Sequence, residues 1–278
     1  MQLRLKSRVL DLTAPLVMGV LNVTPDSFSD GGRHATVEAA LARAREMVGE
    51  GARIVDVGGE STRPGAQPVT GAEELERVLP VIERIRGELD CCVSIDTMKP
   101  AVMRAACAAG AELINDVMAL RADGALAAAH DTGAAVCLMH MQGAPRTMQQ
   151  APAYADVVRE VCAFLAGRAE ACAAAGIARE RLVVDPGFGF GKTVQHNLEL
   201  LASLEALQAL GLPVLVGLSR KSMLGQLTGQ PAEGRVHAGV AAAVLAVARG
   251  ARIVRTHDVR ATMDALKVTI AVDAARHA

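Results

Sequence analysis

The sequence is poor in aromatic residues and carries almost no net charge. Aromatic side chains make up 2% of the 278 residues, tryptophan is absent, and the formal net charge at pH 7 is −1. Proteins that hold single-stranded nucleic acid stack its bases on aromatic side chains and attract its phosphates with a basic surface. The composition therefore excludes nucleic acid as the partner, and any anion must be bound at a local site.

Long apolar runs, signal-peptide features and paired cysteines are also missing. No run reaches the ~18 apolar residues that a membrane span needs, and the N-terminal residues MQLRLKSRVLDLT lack the apolar core of a signal peptide. The six cysteines form no C-x-x-C pair and lie mostly in apolar runs. This is typical of buried free thiols in a reducing compartment. We therefore expect a cytoplasmic protein without a membrane partner.

A glycine-rich stretch at residues 183–192 (VVDPGFGFGK) ends in lysine, as phosphate-binding loops do. The P-loop pattern G-x-x-x-x-G-K requires a glycine where this chain has Pro186. Proline has no N–H to donate to a phosphate oxygen. The spacing excludes a P-loop and leaves Asp185, at the end of an apolar run, to be explained by another role.

A regular series of short apolar runs is present instead. Apolar residues make up 51% of the chain and charged residues 21%, as in a folded domain with a sizeable core. The runs are nearly continuous and rich in β-branched residues, as in parallel strands covered on both faces. Eight strands are predicted, at residues 17–21, 53–57, 92–95, 112–114, 135–139, 182–184, 214–218 and 252–256.

Helical patterns separate these strands. Residues 70–73 (TGAE) form a capping box before one apolar stripe, and a second stripe precedes the seventh strand. Alternating strands and helices along one chain favour a single-domain α/β protein, a (β/α)8 TIM barrel. A doubly wound sheet is the structural alternative. The stripes consist of Leu75, Val78, Leu79, Ile82 and Ile85, and of Leu198, Leu201, Leu204 and Leu207.

Residues 1–15 precede the first predicted barrel strand. Leu3, Leu5 and Val9 alternate with polar neighbours, a pattern typical of short strands with one buried face. We expect residues 1–15 to form a hairpin that plugs the bottom of the barrel and residues 16–278 to form the barrel.

A polar residue ends or follows each predicted strand. In a (β/α)8 barrel these positions surround one mouth, where the loops after the strands build the active site. Any single one, Asp56 and Asn115 above all, is better explained as a cap of the next helix. Eight together favour a functional mouth, and they are Asn22, Asp56, Asp96, Asn115, His140, Asp185, Ser219 and His257.

The polar residues fall into two chemical groups. Asp96, Asn115 and Asp185 are short acceptors beside apolar walls, which suit adjacent N–H donors such as the edge of an aminopyrimidine. A neutral Asn22 suits Mg²⁺ that is bound together with phosphates, and Lys221 suits either group. The pattern predicts a substrate with a nitrogen heterocycle at one end and phosphates at the other. The donors suited to phosphate oxygens are Arg63, Arg255 and His257.

Two stretches rich in Gly, Pro, Ser and Asp follow the first two strands, at residues 24–32 and 58–65. Loops of this kind close over a ligand and exclude water in many enzymes. Ordinary surface turns are the alternative for each of them.

Eight stretches carry most of these polar residues. They are residues 21–32 (LNVTPDSFSDGG), 56–65 (DVGGESTRPG), 96–100 (DTMKP), 115–116 (ND), 139–143 (MHMQG), 185–192 (DPGFGFGK), 217–222 (GLSRKS) and 255–258 (RTHD). In this order they closely resemble the dihydropteroate synthases of bacterial folate biosynthesis, from about residue 16 to about residue 266. One such motif is weakly specific, whereas the series is highly specific.

The resemblance implies a (β/α)8 barrel that forms homodimers and uses Mg²⁺. It implies an enzyme that joins 6-hydroxymethyl-7,8-dihydropterin diphosphate to 4-aminobenzoate and releases diphosphate, with sulfonamides competing for the aminobenzoate site. The alternatives are a methyltransferase that binds methyltetrahydrofolate in a related barrel and a pterin-binding barrel without catalysis.

The resemblance also implies roles for individual residues. The pterin would be bound by Asp96, Asn115, Asp185, Lys221 and Arg255. The diphosphate would be bound by Asn22, Thr62, Arg63, Arg255 and His257, with Asn22 as the ligand of Mg²⁺. The aminobenzoate would be bound by Thr62, Pro64, Phe190, Ser219 and Lys221. The catalytic groups would be Arg63, Lys221, Arg255, His257, Asp96 and Asp185.

An aromatic amine is a weak nucleophile, so we expect C–O cleavage to run ahead of C–N formation, as in an SN1-like transfer. Asp96 and Asp185 would then favour the electron-poor pterin electrostatically. Two positions depart from the usual pattern of the family, Met98 in place of a small polar residue and Thr256 in place of an aliphatic one.

Overall fold

The computed structural model describes residues 1–24, 32–61, 67–144 and 147–275. Its strands are β1 (Gln2–Arg4), β2 (Val9–Asp11), β3 (Leu16–Asn22), β4 (Ile54–Gly58), β5 (Cys92–Asp96), β6 (Leu113–Asp116), β7 (Ala135–Met139), β8 (Leu182–Asp185), β9 (Val214–Gly217) and β10 (Ala251–Thr256). Its α-helices are α1 (Gly32–Gly49), α2 (Gly71–Glu88), α3 (Pro100–Ala109), α4 (Ala125–Thr132), α5 (Val157–Ala174), α6 (Val194–Ala202), α7 (Ser222–Thr228), α8 (Val236–Ala248) and α9 (Val259–Ala275).

Strands β3 to β10 form a closed parallel barrel in chain order, and β10 pairs with β3 to complete it. Helices alternate with these strands along the chain. The predicted (β/α)8 barrel is confirmed, and the doubly wound sheet, which would be open, is excluded. The ends of each barrel strand lie within two residues of the predicted run, because the apolar runs are bounded by glycine and polar residues that end strands.

Alternate residues of each strand face the barrel interior, and the others face the helices. The outward residues, such as Val55, Ile95 and Val136, join a large core with the apolar sides of the helices. The inward residues near the start of the strands form a separate apolar cluster. This division leaves the ends of the strands free to carry polar side chains at the other face of the barrel.

Helix α2 begins at the predicted capping box. The Thr70 hydroxyl accepts from the N–H of Glu73, and the Glu73 carboxylate accepts from the N–H of Thr70 at 2.9 Å. The helix buries Val78, Ile82 and Ile85 as expected. It also buries Val81, while Leu79 is half-buried, so the apolar face is rotated slightly from the predicted stripe.

The first residues form an antiparallel hairpin of β1 and β2, in which Leu3 pairs with Leu10. Leu3, Leu5 and Leu10 are buried in the cluster at the start of the barrel strands. The expectation that Val9 faces the barrel is wrong, since Val9 is 53% exposed. The register decides this, because neighbouring residues of a strand point to opposite faces and Leu10 takes the inward position.

The six cysteines are free, and all except the half-buried Cys162 are buried. Burial raises the pKa of Cys91, Cys107 and Cys172 to about 11, which disfavours the reactive thiolate. Among the helices that the structure describes, none is both long and apolar enough to span a bilayer.

Candidate active site

A cavity opens at the carboxyl ends of the barrel strands. It brings together acceptors from β5, β6 and β8, a guanidinium from β10 and an ammonium from the loop after β9. This is the mouth at which (β/α)8 barrels build their sites. The lining residues are Asp96, Asn115, Val117, Met139, Asp185, Gly187, Phe188, Phe190, Gly217, Lys221 and Arg255.

A network of charged groups crosses the floor of this cavity. The Arg255 guanidinium donates through Nε to Asp56 Oδ2 at 2.7 Å and through Nη2 to Asp96 Oδ2 at 2.8 Å. Asn115 Nδ2 donates to the same oxygen of Asp56 at 3.0 Å. Asp56 is fully buried, so it holds Arg255 and Asn115 in fixed positions relative to Asp96.

The structure contradicts the interpretation of Asp56 and Asn115 as helix caps. Both side chains point into the barrel and bond to each other and to Arg255. The turn after β6 is stabilised by the next residue, Asp116, whose carboxylate accepts from the N–H groups of Met118 and Leu120 at 2.8 Å. The alternation of a strand gives the physical reason, since Asn115 and Asp116 must face opposite sides.

Burial and neighbouring charges shift the pKa values of these groups. Burial raises the pKa of Asp96 to about 7, against the attraction of Arg255 and with the repulsion of Asp56. Burial opposes the charge of Arg255, but attraction by Asp56 and Asp96 outweighs it and raises the pKa. The site therefore holds a permanent cation beside a carboxyl group that is close to changing its charge at neutral pH.

Asp185 ends β8 and is nearly fully buried. Its Oδ1 accepts from the N–H of Gly187 at 2.7 Å. Burial raises its pKa, while this N–H and then Lys221 counteract the shift. The carboxylate thus has an anchored oxygen, and the group as a whole lines the cavity.

Lys221 stands opposite these acceptors. Its Nζ lies 4.0 Å from the centre of the Phe190 ring, the geometry of a cation–π contact. Burial lowers the pKa of Lys221 to about 8, helped by Arg255 and opposed by Asp185. The preceding residue, Arg220, has a left-handed φ of 59° and is held by Asp258 at 2.7 Å, so this turn is strained in order to present Lys221.

Ser219 and His257 meet beside the cavity. Ser219 Oγ lies 3.1 Å from His257 Nδ1 and donates to Asp258 Oδ2 at 3.3 Å. The backbone N–H of His257 donates to Ser219 Oγ at 3.2 Å. Two residues predicted to serve different parts of the substrate are thereby fixed to one another.

Asn22 ends β3 at the edge of the same mouth. A β-carbon added to Gly58, on the neighbouring strand, would lie 3.7 Å from Asn22 Oδ1 and 3.8 Å from Asp96 Oδ2. The two oxygens therefore flank Gly58. Among the residues that the structure describes, no group of three or more His, Cys, Asp or Glu side chains could hold a metal.

Three predicted site residues, Thr62, Arg63 and Pro64, lie outside the described residues. The same is true of residues 25–31 and 62–66 in the two loops rich in glycine and proline. Their roles stay predictions.

The two unusual positions lie differently. Met98 packs in a methionine-rich cluster with Met139, Met141 and Phe190 beside the cavity. Thr256 is buried, and its hydroxyl accepts from the N–H of Asp258 at 3.1 Å. Met98 therefore contributes to a deformable apolar wall, whereas Thr256 supports the turn that follows β10.

Two buried residues beside this cavity had no binding or positioning role predicted from the sequence. Asp56 accepts hydrogen bonds from Arg255 and Asn115. The feature of the sequence that marked it was a charged residue inside an otherwise apolar strand. Lys192 is 3% exposed, and its Nζ lies 2.9 Å from His140 Nδ1. Its signal was its place as the lysine of the rejected P-loop pattern, which drew attention to the residue without indicating a role.

The barrel, with carboxylates and cations lining a cavity at its mouth, has the architecture of a (β/α)8 enzyme that binds a small polar substrate. A family described as "Pterin binding enzyme" matches residues 18–257, and the chain belongs to it. Within this family the chain belongs to the dihydropteroate synthases, which are transferases.

Individual relatives support the assignment. The dihydropteroate synthase of Escherichia coli is 50% identical over 276 residues, covering 99% of this chain and 98% of that protein. The Yersinia pestis dihydropteroate synthase, solved with a sulfonamide drug complex, has a TM-score of 0.94 at 50% identity over 99% of this chain and 100% of its own. The Xanthomonas albilineans enzyme, solved with 4-aminobenzoic acid, has a TM-score of 0.93 at 55% identity over 98% of each chain.

Proposed function

We propose that the chain condenses 6-hydroxymethyl-7,8-dihydropterin diphosphate with 4-aminobenzoate to give 7,8-dihydropteroate and diphosphate. The observation that carries this proposal is the convergence of three acceptor side chains and two cations on one cavity at the barrel mouth. The 4-aminobenzoic acid in the Xanthomonas albilineans structure supports the second substrate.

The acceptors Asp96, Asn115 and Asp185 suit the pterin, which presents several N–H donors along one edge. Asp185 keeps one carboxylate oxygen on Gly187 and offers the other to the ligand. Asp96 likewise uses Oδ2 for Arg255. A fixed carboxylate that needs no reorganisation stabilises positive charge on the pterin more effectively than water does.

The aminobenzoate would lie near Phe190, Lys221 and Ser219, together with Thr62 and Pro64. Phe190 offers an apolar ring face, and the Lys221 ammonium lies over it. An aromatic acid with a carboxylate at one end suits such a wall and cation. This arrangement would leave the amino end of the substrate directed to the pterin.

The diphosphate would be bound by Arg63, Arg255, His257 and Asn22. Arg255 uses two of its five N–H groups in the contacts with Asp56 and Asp96, so N–H groups remain for a phosphate oxygen. Fixed donors that stabilise the departing negative charge lower the barrier to C–O cleavage.

Magnesium fits the residues present. Asn22 is a neutral oxygen ligand at the edge of the mouth, and Mg²⁺ in phosphate sites is usually held by few protein ligands, by waters and by the phosphates themselves. When bound, the ion would neutralise part of the diphosphate charge.

In the proposed reaction the bond between the pterin methylene carbon and the diphosphate oxygen breaks first, and its electron pair leaves with diphosphate. The amine nitrogen then forms the C–N bond with its lone pair and loses a proton to solvent. Asp96 and Asp185 stabilise the electron-poor pterin between these steps. The aryl amine is already neutral at pH 7, so a general base is not required for the attack.

We also propose a homodimer in the cytoplasm. Helices α8 and α9 pack against each other and expose the large apolar side chains Leu245, Val268 and Val272. Exposed apolar side chains grouped on neighbouring elements are typical of a subunit interface. Sedimentation of the wild type and of Val268→Glu tests this, and a monomeric wild type would contradict it.

A single assay tests the reaction. The protein is mixed with the pterin diphosphate, 4-aminobenzoate and Mg²⁺, and released diphosphate is measured together with dihydropteroate. A methyltransferase would release no diphosphate, and a passive pterin-binding barrel would bind the pterin without turnover. Release that does not depend on 4-aminobenzoate would indicate hydrolysis and contradict the proposed condensation.

A further inference from the structure

We propose that Lys192 is a positioning residue that holds the loop of residues 186–191 in the shape required to bind the two substrates. The proposal rests on the proposed function for the identity of those substrates. It assigns a role to the lysine at the end of the glycine-rich stretch.

The Lys192 ammonium is enclosed by acceptors. Its Nζ lies 2.9 Å from His140 Nδ1, 3.0 Å from the carbonyl oxygen of Gly187 and 3.1 Å from that of Phe190. Burial lowers the pKa of Lys192 to about 7, and its protonated form has three N–H donors among four acceptors, the fourth being the carbonyl oxygen of His140 at 3.5 Å. Because Lys192 is 3% exposed, water cannot easily replace it, and its loss would leave buried carbonyl groups without a donor.

The backbone of the loop packs so closely on the segment after β7 that no side chain larger than glycine's fits between them at two positions. Gly187 has a φ of 68°, and a β-carbon added there would lie 1.9 Å from the carbonyl oxygen of His140. Gly191 has a φ of 60°, and its β-carbon would lie 2.6 Å from the carbonyl oxygen of Gln142. The glycines thus allow backbone to pack on backbone, and the Lys192 side chain connects the two segments.

Other side chains hold the remaining groups of the loop. Tyr154 donates through its hydroxyl to the carbonyl oxygen of Gly191 at 2.7 Å. The N–H of Gly189 donates to Asn197 Oδ1 at 2.7 Å. Lys192 is the buried cation in this set, and it alone among these three side chains contacts two carbonyl groups of the loop.

The conformation of the loop determines the positions of side chains in both proposed substrate pockets. Its Gly187 N–H anchors Asp185 Oδ1, and its Phe190 ring supports Lys221 Nζ. If Gly187 and Phe190 lose their common donor, Asp185, Phe190 and Lys221 should all shift. A misplacement of about 1 Å at a reacting site can cost roughly 100-fold in rate.

The chain contains its own reporter for this loop. It has one tyrosine and no tryptophan, so tyrosine fluorescence comes from Tyr154, whose hydroxyl is bonded to Gly191. We would compare Lys192→Met, Lys192→Gln and the control Lys6→Met, which lies on an exposed position of the hairpin segment. Acrylamide quenching of Tyr154 and steady-state kinetics would be measured on each folded variant, with circular dichroism as the test of folding.

We expect Lys192→Met to raise the accessibility of Tyr154 and to lower kcat/KM for 4-aminobenzoate roughly 100-fold, through a lower kcat and a higher KM together. A mere loss of folded protein would lower kcat and leave KM unchanged. Lys192→Gln keeps two N–H donors and should recover part of the loss, while Lys6→Met should match the wild type.

The proposal is overturned if folded Lys192→Met keeps the wild-type quenching and KM. Failure of both Lys192 variants to fold would also overturn it, since the lysine would then serve folding rather than positioning. If the wild type releases no diphosphate, the proposed function fails separately, and the fluorescence of the free proteins still decides whether Lys192 holds the loop.

Discussion

The two ends of the barrel are built from the same strands, but the inward side chains are apolar at one end and polar or charged at the other. At the bottom, inward residues form a buried apolar cluster with the N-terminal hairpin. They include Ile54, Leu113, Val183 and Ile253. Two residues further along each strand, on the same face, the chain places polar groups at the mouth. These are Asp56, Asn115, Asp185 and Arg255.

The difference separates stability from chemistry along the barrel axis. The bottom removes apolar surface from water, which stabilises the fold by about 25 cal/mol per Å² of buried area. The mouth buries carboxylates and cations, which costs free energy unless each is paired. The pairing of Arg255 with Asp56 and Asp96 limits this cost, and burial raises the pKa of Asp96 to about 7 although Arg255 opposes the shift.

The largest effect on stability is expected at the bottom. Leu3→Ala removes a fully buried side chain and should lower the free energy of unfolding by about 2–5 kcal/mol, while kcat/KM of the folded enzyme stays unchanged. Urea unfolding and steady-state kinetics measure both quantities. Val9→Ala on the exposed face of the same hairpin is the matched control and should change neither. A loss of catalytic efficiency in Leu3→Ala would break the comparison.

The mouth should show the reverse behaviour. If Asp185 accepts from the pterin as proposed, Asp185→Asn would present a donor to its N–H groups, so kcat/KM should fall roughly 10²–10³-fold with the fold intact. Calorimetry with the pterin should show that binding is lost. Asp131→Asn, at a half-exposed carboxylate on the outside of the barrel, is the control. Unchanged pterin affinity in Asp185→Asn would refute the assignment of this residue.

Asp56 belongs to the mouth but is fully buried, so its substitution should affect both stability and the electrostatics of the site. Asp56→Asn keeps the size but loses the charge that binds Arg255, and the free energy of unfolding should fall by about 1–3 kcal/mol. The pKa of Asp96 should fall below about 7, because the repulsion by Asp56 disappears. Carboxyl carbon NMR titration measures this pKa. A rise instead of a fall would mean that Asp56 does not act on Asp96 electrostatically.

The smallest effect concerns pH. Burial, and then the charge of Lys192, lower the pKa of His140 to about 3, below its ordinary value of about 6.5. A lowered histidine pKa contributes stability that is present above pH 6.5 and is lost as the pH falls toward 3. Between pH 6.5 and 5 the wild type should therefore lose stability more steeply than His140→Gln. Equal slopes in urea unfolding would show that His140 is not held neutral.

Much of the fold could be predicted from local patterns. The apolar runs located the barrel strands to within two residues, because continuous runs of β-branched residues bounded by glycine and polar residues have few other solutions. The Thr70 capping box was predicted correctly for the same reason, since its hydrogen bonds join neighbours in the chain. The residue types that end the strands predicted a polar mouth, and Asp96, Asn115 and Asp185 line its cavity.

The errors arose where two segments distant in sequence meet. The exposure of Val9 depends on the register between β1 and β2, and a shift of one residue would have buried it. Asp56 was expected to cap a helix because its partners, Arg255 and Asn115, are far away in the chain. Lys192 had no assigned role because one of its partners, His140, follows a different strand, β7, and is distant in the sequence.

Local patterns in the sequence were enough to predict the alternation of strands and helices and the polar residues at the strand ends, whereas closure of the barrel depends on the pairing of β10 with β3. Contacts between distant segments were needed to show which charges are paired, that Asp96 has a pKa near 7 and that Lys192 contacts two carbonyl groups of the glycine-rich loop. The physical reason is that electrostatic energies depend on distance and burial across the barrel, and neither is encoded by neighbours in the chain.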